Sequence, residues 1–290
     1  MQQLEDLMAA AEVTGSAARP LPLFYALSQA GQALEACSGI EPTSGHGIGL
    51  SRAQADVLHR QIEPWKKRPG RFQSVSECVL SQPLLEKVEL GALLASLPEV
   101  ARHIPLGSPW PRAIEIVLDK DVEIGPSLSH PCDIMVHKEV RTVGEVKALL
   151  RSYPEADNQW TPTGYTDNAS ARCVPLGENL WAVPLRWNIA MQPLSPALDF
   201  NEQLWIRPSL GGEPPPNRLM TWWLVTFALS MLARYHPVAW VAALDVNRSP
   251  IAVLLERAMS EATNSIPELL LEEVATVPTS VDEEMNALEP

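Results

Sequence analysis

The stretch Leu219 to Leu232, LMTWWLVTFALSML, constrains the fold more than any other part of this chain. It holds no charge, glycine or proline, is too long for an ordinary strand, and is rich in residues that favour helix. A helix over 219–236 is expected, closed by Tyr235-His236-Pro237. Apolar residues fall on all its sides, so it should be buried nearly all round as a Trp-rich core helix. Flanked by Arg218 and Arg234, the run is also short of the roughly 20 apolar residues that a bilayer demands, so no membrane partner is expected. Thr226, Ser230 and Arg234 stand four apart and form a polar stripe on this rod. The two hydroxyls can bond the carbonyl one turn back. A guanidinium cannot, and Arg234 must find a carboxylate, a carbonyl or solvent.

At 290 residues the chain can bury a large core in one or two domains. Its net charge is −13, but the segment from Pro267 onward holds seven acids and no base, leaving about −6 for the rest. That balance gives no general attraction to nucleic acid or anionic membrane, although a local basic patch would still act. Cys37, Cys78, Cys132 and Cys173 are dispersed, with no C-x-x-C pair and no histidine at zinc spacing. Reduced thiols, no metal site and no cofactor are expected. The first residues, MQQLEDLMAAAEV, are acidic and lack a basic segment followed by an apolar one, so cytoplasm is the expected location.

Leu4 to Val13 and Leu23 to Cys37 read as helices around a break at Gly15 to Pro22. In the second, Ala26, Ala30, Ala33 and Cys37 make a small-residue stripe against which the core helix could pack closely. Ser38 to Gly49 is a glycine-rich loop without a phosphate-loop pattern. Ser51 is read as capping a helix to about Ile62, and two short helices are expected from Ser74 to Arg102. The pattern then alternates: Ala113 to Ile124 reads as a hairpin turning at Asp119-Lys120-Asp121, and Cys132 to Val140 as a further strand. Thr142-Val-Gly-Glu145 is a capping box opening a helix to about Tyr153. Strands come next at Arg172 to Val174 and at Asn179 to Trp187, where Pro184 suggests a sheet edge. Helices are expected from Ser249 to about Ala262 and again from Ser265.

The expected architecture is therefore α+β, predominantly α-helical with a small β-rich middle portion. Its parts are an N-terminal helical part (1–110), a small α+β part (111–207) and a Pro/Gly connector (208–217). A C-terminal helical part (218–278) packs on the first, and an acidic tail (279–290) completes the chain.

Candidate functional residues fall in three groups. Tyr25 and Gln29 share a helix face and could meet the interior polar spot of Ser230, Arg234, Tyr235 and His236, which makes these six the candidates for a ligand or partner pocket. Lys66, Lys67, Arg68 and Arg71 lie between Trp65 and Phe72, a pattern suited to phosphate contacts beside stacked bases. His46, between two glycines, is an accessible imidazole. With Arg52 and His59 it completes the candidate catalytic residues; those two sit seven apart and satisfy the R-x4-6-H pattern of HEPN-type ribonucleases.

Phe24 to Ala36 (FYALSQAGQALEA), Gly45 to Ile48 (GHGI), the segments RFQSV and LLEKVELGALLASLPE within Arg71 to Glu99, and Trp222 to Trp240 (WWLVTFALSMLARYHPVAW) together resemble the YaaC-like proteins of bacteria. The resemblance runs in order over most of the chain and implies an intracellular protein with no assigned reaction, so no catalytic residue carries over from it. Three function classes stand: a non-catalytic or regulatory interaction protein, with a protein partner or a second copy of itself; a HEPN-like nucleic-acid-binding protein or ribonuclease, disfavoured by the acidic charge; and a small-ligand enzyme with a pocket near Arg234 and His236. No G-x-S-x-G or other motif decides whether the chain is an enzyme.

Overall fold

The computed structural model describes residues 2–41, 43–51, 56–67, 69–118, 129–153, 160–162, 173–177, 179–188, 198–200 and 203–276. The elements in order are α1 (Gln2–Val13), α2 (Pro20–Cys37), β1 (Ile48–Leu50), a 3-10 turn (Val57–His59), β2 (Gln61–Pro64), α3 (Arg71–Cys78), β3 (Val88–Glu89), α4 (Leu90–Ala95), α5 (Pro98–Ala101), β4 (Ile114–Leu118) and β5 (Ser129–Val136). They continue with α6 (Val143–Leu150), β6 (Trp160–Pro162), β7 (Val174–Gly177), β8 (Leu180–Asn188), β9 (Leu198–Phe200), β10 (Gln203–Ile206), α7 (Arg218–Tyr235), α8 (Pro237–Ala243) and α9 (Ala252–Thr276). The fold is α+β and helix-dominated, with two antiparallel sheets. Contacts divide it into a helical unit of Met1–Leu94, His103–Pro105 and Pro215–Pro290, and an α+β unit of Ala95–Arg102 and Leu106–Pro214.

In the helical unit α7 is the core helix, buried at every position from Leu219 to Ser230. Asn217 caps it by accepting from the Met220 amide at 2.9 Å, leaving one fewer orphan donor. Thr226 Oγ1 donates to the Trp222 carbonyl and Ser230 Oγ to that of Phe227, each at 2.8 Å. Both buried hydroxyls thus satisfy themselves on their own helix. Helix α2 packs against α1, α3, α7 and α9. The small-residue stripe is only half the contact: Ala26 and Ala30 are buried, but Ala33 is half-buried and Cys37 exposed. The tight approach is made by Gly31, where an added Cβ would lie 2.6 Å from the Trp223 ring.

Three local expectations give way to packing. Arg52 to Ala55 lie outside the described residues, and the expected helix to Ile62 is replaced over its second half by the 3-10 turn and strand β2. That strand pairs with β1 and β3, so sheet pairing overrides helix propensity here. Helix α9 runs unbroken through Pro267. A proline inside a helix costs about 3 kcal/mol. It is tolerated because Leu255, Ala258, Met259, Ala262, Ile266 and Leu269 form one buried stripe on both sides of it.

The third departure lies in the α+β unit. Its sheet has the order β6-β8-β5-β4-β10-β9, with β7 also paired to β8. The expected hairpin turn at Asp119 to Asp121 lies outside the described residues; β4 pairs with β5, Leu118 opposite Cys132. Strand β8 is interior, not an edge. Pro184 is accommodated because its far neighbours stop short of it: β6 reaches Leu185 and β7 reaches Ala182. Alternate residues Ile114, Ile116, Cys132, Ile134, Val136, Val183 and Leu185 build a core with Val146, Leu150 and Tyr153. The capping box forms as expected, Glu145 N donating to Thr142 Oγ1 at 3.2 Å while Glu145 Oε2 accepts from Thr142 N at 3.2 Å. All four cysteines are free thiols. Among the described residues no helix is long and apolar enough to cross a membrane. Residues 279–290 lie outside the described residues.

Near the C-terminal end of α9 a carboxylate gives the helical unit a pH dependence. Burial, with Glu272 beside it, pushes Glu273 from an ordinary 4.5 up to about 7. Its Oε1 accepts from Asn217 Nδ2 at 2.6 Å. A carboxyl whose pKa is higher folded than unfolded holds its proton in the fold, so stability is greatest below the unfolded value and falls as pH rises towards the folded one. Solvent on the exposed part of the side chain limits the loss to about 1 kcal/mol. Glu273→Gln, which keeps the acceptor without the charge, should therefore raise the urea midpoint at about pH 8 and leave it nearly unchanged at about pH 4. A lower midpoint at the higher pH would contradict this sign.

Candidate functional site

The loop Gly45-His46-Gly47 and the first turn of α3 form one structure, although the sequence separates them by more than twenty residues. Arg71 N donates to the Gly45 carbonyl at 3.0 Å and Phe72 N to that of His46 at 3.1 Å, so the loop satisfies amides that a helix start leaves open. Gln73 ties the two together: its Nε2 donates to the Gly47 carbonyl at 2.9 Å and its Oε1 accepts from Gly70 N at 3.0 Å. Gly45 and Gly47 have φ of +81° and +75°, which lets the loop turn sharply enough to present His46 inward.

His46 is half-buried rather than freely accessible. Its ring stands edge-on to Phe24, centroids 5.3 Å apart, and lies 5.5 Å from Phe227. Burial, then the positive fields of Arg234 and Arg71, push its pKa down, so the imidazole is neutral at pH 7. Beside it stands the arginine at the end of α7. Arg234 Nη1 donates to Tyr25 Oη at 3.1 Å and Nη2 contacts Met231 Sδ at 3.4 Å. The guanidinium carbon lies 5.1 Å from the centre of the Tyr235 ring and 5.9 Å from that of Tyr25, within cation–π range of both. Its Nε is buried without a hydrogen-bond partner, and among the described residues no carboxylate pairs with it.

Of the pocket candidates, then, Tyr25, Arg234 and Tyr235 come together, with His46 behind them. Gln29 is half-buried beside them, Ser230 is spent on its own helix, and His236, half-buried, links the end of α7 to α8. Tyr25 and Tyr235 are 42% and 62% exposed, so the group opens to solvent.

The basic run divides. Lys66 and Lys67 are exposed beside Trp65 in a shallow concavity, and Arg68 lies outside the described residues. Arg71 turns inward. Its Nη1 donates to Ser28 Oγ at 3.0 Å, its Nη2 to the Thr43 carbonyl at 3.1 Å, and its Nε lies 3.5 Å from Glu35 Oε2, close enough for charge attraction though not aligned as a hydrogen bond. His59 is exposed at the end of the 3-10 turn, and Arg52 lies outside the described residues. With Lys66 and Lys67 as the exposed cations of the described run, single-stranded RNA should bind weakly. The log–log salt slope should be no steeper than about −1.4, two contacts at about −0.7 each. An electrophoretic shift at two salt concentrations with a Lys66→Ala/Lys67→Ala variant checks this; a much steeper slope would restore a phosphate-binding role to the whole run.

Among the described residues no cluster of three or more His, Cys, Asp or Glu could hold a metal ion. A cleft of about 690 Å³ in the α+β unit, walled by Trp110, Arg112, His137, Lys138, Leu149 and Trp181, was not foreseen from sequence. Its one local signal is the pairing of aromatics with cations next to strand ends, in Trp110-Pro111-Arg112 and His137-Lys138.

No curated protein and no solved structure matches the chain. A family model described as YaaC-like Protein matches residues 1–274, and the chain belongs to that family.

Proposed function

We propose that this is a non-catalytic, cytoplasmic interaction protein whose helical unit recognises a protein partner through Arg234, Tyr25 and Tyr235. The observation that carries this reading is an arginine fixed between two partly exposed tyrosine rings with, among the described residues, no carboxylate of its own. Arginine and tyrosine dominate binding hot spots, because each combines a large apolar area with directed hydrogen bonds at a modest entropic cost. Met231 adds a soft contact at the base of the group, and Val238 and Val241 of α8, the next helix in the chain, are exposed apolar residues. The partner's matching feature is a carboxylate, which would take the guanidinium donors that Tyr25 leaves unused.

The test compares what wild type, Arg234→Gln and Tyr235→Ala capture from extract of the native cell, with sedimentation of each to detect self-association. Truncating a hot-spot residue costs 2 kcal/mol or more, roughly a thirtyfold loss of affinity. At least one species held by wild type should therefore be lost from both variants while their unfolding transitions stay in place. An unchanged set of captured proteins, together with unchanged self-association, would remove the proposal.

A further inference from the structure

Trp65 follows directly on β2, its amide donating to the Gly47 carbonyl at 2.8 Å. Its indole lies across two glycines: a Cβ at Gly45 would stand 3.1 Å from Cζ3 and one at Gly49 3.3 Å from Nε1, one atom from each fused ring. The ring therefore rests on backbone that carries no side chain beneath it, and the residue is still 46% exposed. That backbone is held in place, Arg71 N donating to the Gly45 carbonyl at 3.0 Å and Gln73 Nε2 to that of Gly47 at 2.9 Å. The exposed part of the indole is thus a flat surface fixed before any ligand arrives, which limits the ordering cost of binding.

Three charged side chains border this surface. Glu63, Lys66 and Lys67 line one concavity of about 470 Å³ with Pro64 and Trp65. All three are exposed, and among the described residues no ion pair or hydrogen bond engages their side chains. The carboxylate precedes the indole in the chain and the two ammoniums follow it, so acceptor and donors both remain open to a ligand. An aromatic ring suits a planar heterocycle, whose stacking contributes between about fivefold and 150-fold in affinity per base. Ammoniums suit a phosphate, and a carboxylate, which only accepts, suits a base that offers donors. Guanine presents an imino and an amino hydrogen side by side on one edge, whereas uracil presents its imino hydrogen between two carbonyl oxygens that a carboxylate repels.

We propose that Glu63, Trp65, Lys66 and Lys67 form a nucleotide site with a preference for guanine. The base stacks on the Trp65 indole with its donor edge towards Glu63, and the phosphate meets Lys66 and Lys67.

Titration of the full chain with GMP, followed by the NMR signal of the Trp65 indole N–H, tests this; loss of the signal in Trp65→Phe assigns it. GMP should shift the signal, UMP should bind at least about fivefold more weakly, and ribose phosphate, which lacks a base, should leave it in place. Trp65→Ala should weaken GMP at least about tenfold, and Trp65→Phe, which keeps a stacking face, should recover most of that loss. Glu63→Gln should reduce the preference for GMP over UMP. Lys66→Ala with Lys67→Ala, at two exposed positions, should weaken GMP but not guanosine, with the unfolding transition unchanged. A phosphorylated hexanucleotide opening with guanosine separates the two sources of such a ligand: it binds more tightly than GMP if the site takes the end of an RNA strand, and no more tightly if it takes a free nucleotide. No shift of the indole by GMP, a shift by ribose phosphate as large as that by GMP, or full GMP affinity in Trp65→Ala or in the double lysine variant would each overturn the proposal.

Discussion

Gly70→Ala should cost the helical unit more than about 3 kcal/mol, or prevent its folding, although the change adds a single methyl group. Gly70 sits at φ −133° and ψ −168°, an extended conformation open to any residue, so backbone strain does not enter. The loss is steric. An added Cβ would lie 2.5 Å from Gly47 Cα and 2.9 Å from the His46 carbonyl carbon, with Gly47 N closer still. These are backbone atoms, and they cannot yield without breaking the hydrogen bonds that dock the 45–47 loop on α3. Gly15→Ala is the control, since nothing stands within 4 Å of that position and its cost should be within about 0.5 kcal/mol. Urea unfolding of both variants measures the difference; similar midpoints would mean that the loop and helix are not locked as described.

Glu35→Ala should be comparably damaging, by about 3 to 5 kcal/mol, because it leaves a guanidinium largely buried without its counter-charge. Glu35 is wholly buried, and its Oε1 accepts from Thr43 Oγ1 at 2.7 Å and Thr43 N at 3.3 Å while Arg71 faces its other oxygen. The pair and its neighbours hold together α2, the 38–47 loop and α3. Arg71→Met alone should be costly for the converse reason. A double variant, Glu35→Leu with Arg71→Met, removes both charges and should lose clearly less than the two single losses added. Strict additivity in that cycle would show that the two side chains act independently.

What was legible in the sequence is what local chemistry decides. The apolar run of α7 could be nothing but a buried helix, the hydroxyls of Thr226 and Ser230 had a carbonyl within one turn, and Thr142 with Glu145 spelled its own cap. The sequence allowed Tyr25 to meet Arg234, on helices expected to pack, but did not require it; the fold brings the hydroxyl to the guanidinium. The place of Arg71 was not legible. Along the chain it belongs to a basic run, and only the fold brings the buried carboxylate of Glu35 to it. The same holds for Gly47 against Gly70, for Pro184 in an interior strand, and for the cleft, whose walls come from stretches near residues 110, 140, 150 and 180. Each depends on a long-range approach that periodicity and spacing do not encode.

The most direct test of the proposed role is photo-crosslinking in the native cell, with a photoreactive amino acid placed at Tyr235 and, as a control, at Val13, which is 87% exposed on α1. Recognition through the Arg234 group predicts a discrete adduct from position 235 that is lost when Arg234→Gln is added, and none from position 13. No adduct at 235, or one that persists unchanged in the Arg234→Gln background, would contradict it.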